Sequence, residues 1–122
     1  MVIIKEIKWI SKDALEAEII VSDGENDLLC FSHPFKMNEG DQLIDPIYAF
    51  EASKIQKLDA LSFKIKKLKG SFDYSIQGQL MNKELGIVKL GNILIDIGND
   101  FIPSDLKNND YISFNCERFD IY

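Results

Sequence analysis

Residues 28–44 read L-L-C-F-S-H-P-F-K-M-N-E-G-D-Q-L-I, and the chain writes this plan twice. An apolar run, Leu28 to Phe31, stops at Pro34. A lone apolar residue, Met37, follows, and Gly40-Asp41 opens a second apolar run. Residues 93–112 repeat the plan with Ile93 to Ile97, Pro103, Leu106, and Asn109-Asp110 ahead of Tyr111-Ile112. Proline has no N–H to give a ladder, so it ends a strand. Gly40 and Asn109 are residue types that accept a positive φ, so each copy predicts a tight turn feeding the next strand. Two such corners point to a closed or two-layered β structure.

Outward from the corners, alternation predicts more strands. Val2 to Ile10 places Ile3, Lys5, Ile7 and Trp9 on one side and Ile4, Glu6, Lys8 and Ile10 on the other. Leu15 to Val21 sets Leu15, Ala17, Ile19 and Val21 against Glu16, Glu18 and Ile20. The loop S-D-G-E-N-D (22–27) carries Asp-Gly, a hairpin signal. Gln42 to Phe50 reads as an edge strand, the place where Pro46 is tolerated, or as a helix with Asp45 as N-cap and Pro46 in its first turn. The spacing over 51–58 also admits a short helix. Strands follow at Leu61 to Leu68, with Phe63 facing the core, and at Phe72 to Leu80, with Phe72, Tyr74 and Ile76 on one side. After a turn at Lys83 to Gly86, Ile87 to Leu90 and Ile93 to Ile97 are separated by a bulge or bend at Gly91-Asn92. One long final strand covers Tyr111 to Tyr122. The sum is an all-β fold: a single-domain barrel or sandwich of about eight short strands over residues 1–122.

With 122 residues the chain is one domain, large enough to bury a core. No run approaches the roughly 18 apolar residues of a membrane span. The charged N-terminus M-V-I-I-K-E-I-K-W-I lacks a signal peptide's apolar core, so a cytoplasmic location is expected. Cys30 and Cys116 then read as reduced, buried thiols. The net charge of −6 is unevenly spread. Residues 1–53 carry −7, residues 54–69 carry +5 from six lysines and one acid, and residues 70–122 carry −4. An acidic surface favours basic partners and repels nucleic acid.

Cys30-x-x-His33, with Cys116 as a third ligand, is the first metal-like grouping to test, but residues three apart on a strand face opposite ways and a fourth zinc ligand is lacking. His33, the only histidine, has Ser32 and Asp41 nearby, yet no nucleophile elbow or oxyanion loop accompanies it. No catalytic residue, metal or cofactor is assigned. Asp23, Glu25 and Asp27 alternate as in a calcium loop, but the glycine is misplaced and no bidentate glutamate follows. The 54–69 lysine segment, with Lys64 and Lys66 beside Phe72 and Tyr74, is the alternative reading: an oligonucleotide-binding-type β-barrel. A lysine-guarded edge strand accounts for the same residues.

The stretches C-F-S-H-P-F-K-M-N-E-G-D-Q-L (30–43) and N-D-Y-I-S-F-N-C-E-R-F-D-I (109–121), in a compact acidic chain without catalytic motifs, resemble immunity proteins of bacterial contact-dependent inhibition and other polymorphic toxin systems. The resemblance implies a monomer that forms a 1:1 complex with a cognate protein toxin, typically a basic nuclease or RNase, and plugs its active site. From the residues themselves, Glu16, Glu18, Asp23, Glu25 and Asp27 are the expected partner-binding carboxylates, since an acidic face mimics a phosphate backbone and speeds encounter with a basic enzyme.

Overall fold

The computed structural model describes residues 1–59, 64–67 and 74–121; within 64–67 the side chains of Lys64, Lys66 and Lys67 lie outside the described part. Among the described residues the fold is all-β, with eleven strands in one sheet: β1 (Ile3–Ser11), β2 (Glu16–Ser22), β3 (Asp27–Ser32), β4 (Ile47–Phe50), β5 (Ser53–Leu58), β6 (Lys64–Lys67), β7 (Tyr74–Asn82), β8 (Ile87–Leu90), β9 (Ile93–Asp96), β10 (Tyr111–Cys116) and β11 (Arg118–Asp120). Their order is β1-β2-β3-β11-β4-β9-β8-β7-β10-β5, with β6 also paired to β7.

This order has a hidden symmetry. The chain from β1 to β3, turning at the first corner, returns beside β1: Asp41 to Leu43 pair with Ile4, Ile3 and Val2. The chain from β7 to β9, turning at the second corner, returns as β10 beside β7. Each half is therefore a Greek key, with the fourth segment lying next to the first. The strand that follows each key then crosses to the other half. β4 runs parallel to β9 of the second key, and β11 runs parallel to β3 of the first. The two exchanged strands pair antiparallel at the middle of the sheet, Phe119 opposite Ala49.

The corners are the same at atomic detail. Asn38 N–H donates to Asp41 Oδ2 at 2.8 Å, and Lys107 N–H donates to Asp110 Oδ2 at 2.9 Å. The amides of Asp41 and Asp110 close turns onto the carbonyls of Asn38 and Lys107. Gly40 and Asn109 occupy the left-handed region at φ +88° and +76°. Each corner then exchanges two bonds with one strand residue. Gly40 N–H gives to Ile4 O while Ile4 N–H gives to Asp41 O; Asn109 N–H gives to Leu80 O while Leu80 N–H gives to Asp110 O. Ile4 and Leu80 each sit directly before a β-bulge, at Lys5 and Met81. The hairpin turns match too: Leu15 and Gly86 end them at φ +58° and +72°.

The bulge at Lys5 shifts the face of β1. Strict alternation places Ile4 opposite Ile7 and Trp9, but one extra residue brings Ile4 inward together with them. The core collects Ala17, Ile19, Val21, Leu28, Cys30, Ile76, Leu80, Val88, Ile93, Ile95, Ile112, Phe114 and Phe119, all essentially without solvent contact. Tyr74 packs on Phe119 with ring centroids 5.1 Å apart.

Three expectations need correction. Residues 53–58 are strand β5, not helix. A bulge sets Lys54 and Ile55 against one residue of β10, with Lys54 at φ +53°, and the half-buried residues, Ile55 and Leu58, stand at a helix-like spacing of three. β4 is interior rather than an edge, and Pro46 is harmless because it precedes the first ladder residue, Ile47. The final strand breaks at Glu117, whose N–H turns to Phe50 O, and this split together with β5 raises the strand number above eight. Gly91-Asn92 is a two-residue hairpin turn. Phe63 and Phe72 lie outside the described residues, while Tyr74 and Ile76 face the core as expected.

Gly40 separates backbone strain from crowding, because nothing lies within 4 Å of where its Cβ would stand. Gly40→Val is expected to cost about 1–2 kcal/mol through the left-handed φ alone. Asn109→Gly should stay within about 0.5 kcal/mol of wild type. Urea denaturation of both variants checks the pair, and equal effects would sink the claim that the two corners share one backbone requirement.

Candidate protein-interaction face

The five expected carboxylates do not form one cluster. Glu16 and Glu18 project from β2 away from the core, on the side opposite Ala17 and Ile19. Asp23 and Glu25 lie in the β2–β3 loop, roughly 20 Å from Glu16 at about 3.3 Å per strand residue. They also differ in what each carboxylate is free to do.

Asp23 is occupied by its own fold. Its Oδ1 accepts N–H bonds from Glu25 at 3.0 Å and Asn26 at 2.7 Å, and its Oδ2 accepts from Asn92 N–H at 2.8 Å. The last bond ties the β2–β3 loop to the β8–β9 turn, where a side chain on Gly91 would collide with the Asp23 carboxylate. Burial pushes this carboxyl up, but the N–H groups of Asn92, Asn26 and Glu25 outweigh it and hold the group below its ordinary 3.8. Asp27 is taken by Lys5, whose Nζ sits 2.7 Å from Oδ2 and lowers the carboxyl by a direct hydrogen bond. Glu25 is exposed at the loop tip. Among the described residues its carboxylate has neither ion pair nor hydrogen bond. Glu18 stands opposite Lys8 in the ladder without closing an ion pair.

Sequence reading missed what lies beside Glu18. Arg118, the only arginine in the chain, rises from β11 with its guanidinium 4.4 Å from the Phe50 ring centre and 5.6 Å from that of Phe31. Its Nε donates to both oxygens of Asp120, at 2.9 and 3.2 Å. Asp120 is nearly sealed from solvent, while the arginine side chain keeps 42% of its surface. Phe31, Arg118, Glu18 and the half-exposed Ile10 line a mostly apolar recess of ≈ 180 Å³. The signal in the sequence was slight: one arginine in a chain of lysines, two residues from an aspartate, which places both on one face of a strand.

The remaining candidates separate. Cys30 is fully buried, and His33 is exposed beyond the end of β3. Burial pushes the Cys30 thiol well up, with Asp120 and Cys116 adding to it, and burial likewise lifts the nearby Tyr74 hydroxyl to about 12. Both cysteines are buried and neither is in a disulfide. The side chains of Lys64 and Lys66 lie outside the described residues, so the basic-strand alternative has no geometry here.

Removing the Asp23 carboxylate orphans three N–H groups, so Asp23→Ala is expected to cost about 1–2 kcal/mol at pH 7. The native carboxyl titrates below its unfolded value of 3.8, so the contribution is complete above that pH and is lost as pH falls through the native value. Urea unfolding should show the gap between wild type and variant closing only in acid. A gap that ignores pH would mean the charge contributes nothing.

Comparison with protein-family models, with curated proteins and with solved structures yields no match to this chain.

Proposed function

We propose that this protein is an acidic binding protein that neutralises a basic protein, a cognate toxin of the nuclease or RNase kind, by covering its active site. One observation carries the reading. Of the eleven carboxylates in residues 1–53, Asp27 alone has a cationic partner, because the other ion pairs among the described residues, Lys57–Asp110 and Arg118–Asp120, lie elsewhere. Ten negative groups in one Greek key and its crossover strand are thus left without close compensation. Such concentration weakens a fold by self-repulsion, and it is useful to a surface that must attract positive charge over a distance. Glu16, Glu18 and Glu25 are the members best placed to act. Asp23 and Asp27 serve the loop that presents Glu25.

A basic enzyme approaching this half is steered by the field before contact, which raises the association rate and makes it salt-dependent. Once seated, the rigid sheet excludes a polyanionic substrate from the same cleft.

Capture from the native host at moderate and then high salt tests the reading. A single basic protein retained stoichiometrically is the expected result, and recovery of nucleic acid alone would overturn it. With that protein in hand, Glu16→Lys/Glu18→Lys/Glu25→Lys should slow association about tenfold at low ionic strength and flatten its salt dependence. Stopped-flow rates that match wild type would remove these carboxylates from the encounter.

A further inference from the structure

Arg118 is held more firmly than a surface arginine needs to be. Phe50 and Phe31 lie within cation–π distance of the guanidinium, and the nearly sealed Asp120 fixes Nε. The two Nη groups make no hydrogen bond to any described residue. Arg118 lines the recess that Ile10, Glu18 and Phe31 complete. A planar donor fork fixed before any ligand arrives loses little side-chain entropy on binding.

We propose that this recess is the centre of the partner's footprint, and that the basic partner sets one carboxylate against the Nη edge of Arg118 while cationic side chains around it face Glu16 and Glu18. The inference rests on the protein-neutralising reading above and specifies the partner's charge pattern. Docking strips water from the guanidinium, and an Nη pair left without acceptors would cost more than the covered apolar surface returns. A carboxylate matches the fork with two parallel bonds. The rim carboxylates require the opposite sign around it. Asp120 offsets the Arg118 charge locally, so a partner of net positive charge is not repelled from the centre. Ile10 and Phe31 supply the apolar floor on which the partner's side chain rests, in the manner of a binding hot spot.

The full-length protein, isotope-labelled, is titrated with the tripeptide acetyl-Lys-Asp-Lys-amide, with its Asn counterpart, and with sodium acetate. The readouts are the Arg118 side-chain N–H signals and the Ile10 methyl. The Asp peptide should shift both saturably, and the Asn peptide should bind about tenfold or more weakly. Ile10→Glu, at a position 51% exposed and so tolerated by the fold, should abolish the shift of the Arg118 N–H signals, and Arg118→Lys should abolish that of the Ile10 methyl. Absent shifts, equal shifts from the Asn peptide, or full reproduction by acetate at the same concentration would each overturn the proposal. A captured basic protein whose dissociation rate ignores Ile10→Glu would overturn this anchor and leave the neutralising role standing. Peptide binding at the recess with no basic protein captured would sink the neutralising role, and the partner named here with it.

Discussion

The architecture depends on a pair of reciprocal hydrogen bonds made twice. A bulge leaves a strand locally unable to continue its ladder, and a corner ending in Gly-Asp or Asn-Asp docks on the residue just before it. The aspartate does two jobs: its carboxylate receives the amide three residues back, and its carbonyl receives the strand's N–H. Pro34, two residues past the end of β3, keeps that strand from running on, whereas β9 ends at Asp96, well before Pro103. With these bonds in place each key can return to its own first strand, and without them the fourth segment has no register.

That explains what was legible. The corner could be read from one sequence because its geometry restricts residue identity: an aspartate acceptor at one site, and glycine or asparagine where φ is positive. The surrounding duplication was invisible, because core positions such as Ala17 and Val88 require only an apolar side chain of workable size. β5 was misleading for a local reason, since a bulge at Lys54 interrupts its ladder and its half-buried residues, Ile55 and Leu58, stand three apart. The position of β4 was misread because its neighbours, β9 and β11, are far away in sequence. The carboxylates near Glu16 and Asp23 were found from charge alone, which says nothing about occupancy. Sorting Asp23 from Glu25 needed the Asn92 N–H across a different hairpin. Arg118 was out of reach for the same reason, since its setting joins β3, β4 and β11.

The two halves share a plan and divide the electrostatics. The first key and its crossover strand carry most of the negative charge, and the segment that follows, residues 54–69, carries six of the thirteen lysines. Arg118 belongs by sequence to the second half and by position to the first, because β11 pairs beside β3. The crossover thus delivers the chain's only guanidinium to a strand of its most acidic segment. Strand order and surface chemistry are coupled there.

The exchange of β4 and β11 has a further consequence. Each key passes the strand that follows it to the other and receives one in return, so the two halves interlock. In an oligomer this arrangement would be described as swapping between subunits. Here it is written into one polypeptide, as though two copies of a half-length chain had been joined end to end. A half-length chain would satisfy its open strand positions only by pairing with a second copy, and the covalent link converts that concentration-dependent association into an intramolecular one. The single chain keeps the interlocked sheet at any dilution, and it leaves each half free to diverge, one toward acidity and one toward lysine, as two identical subunits could not.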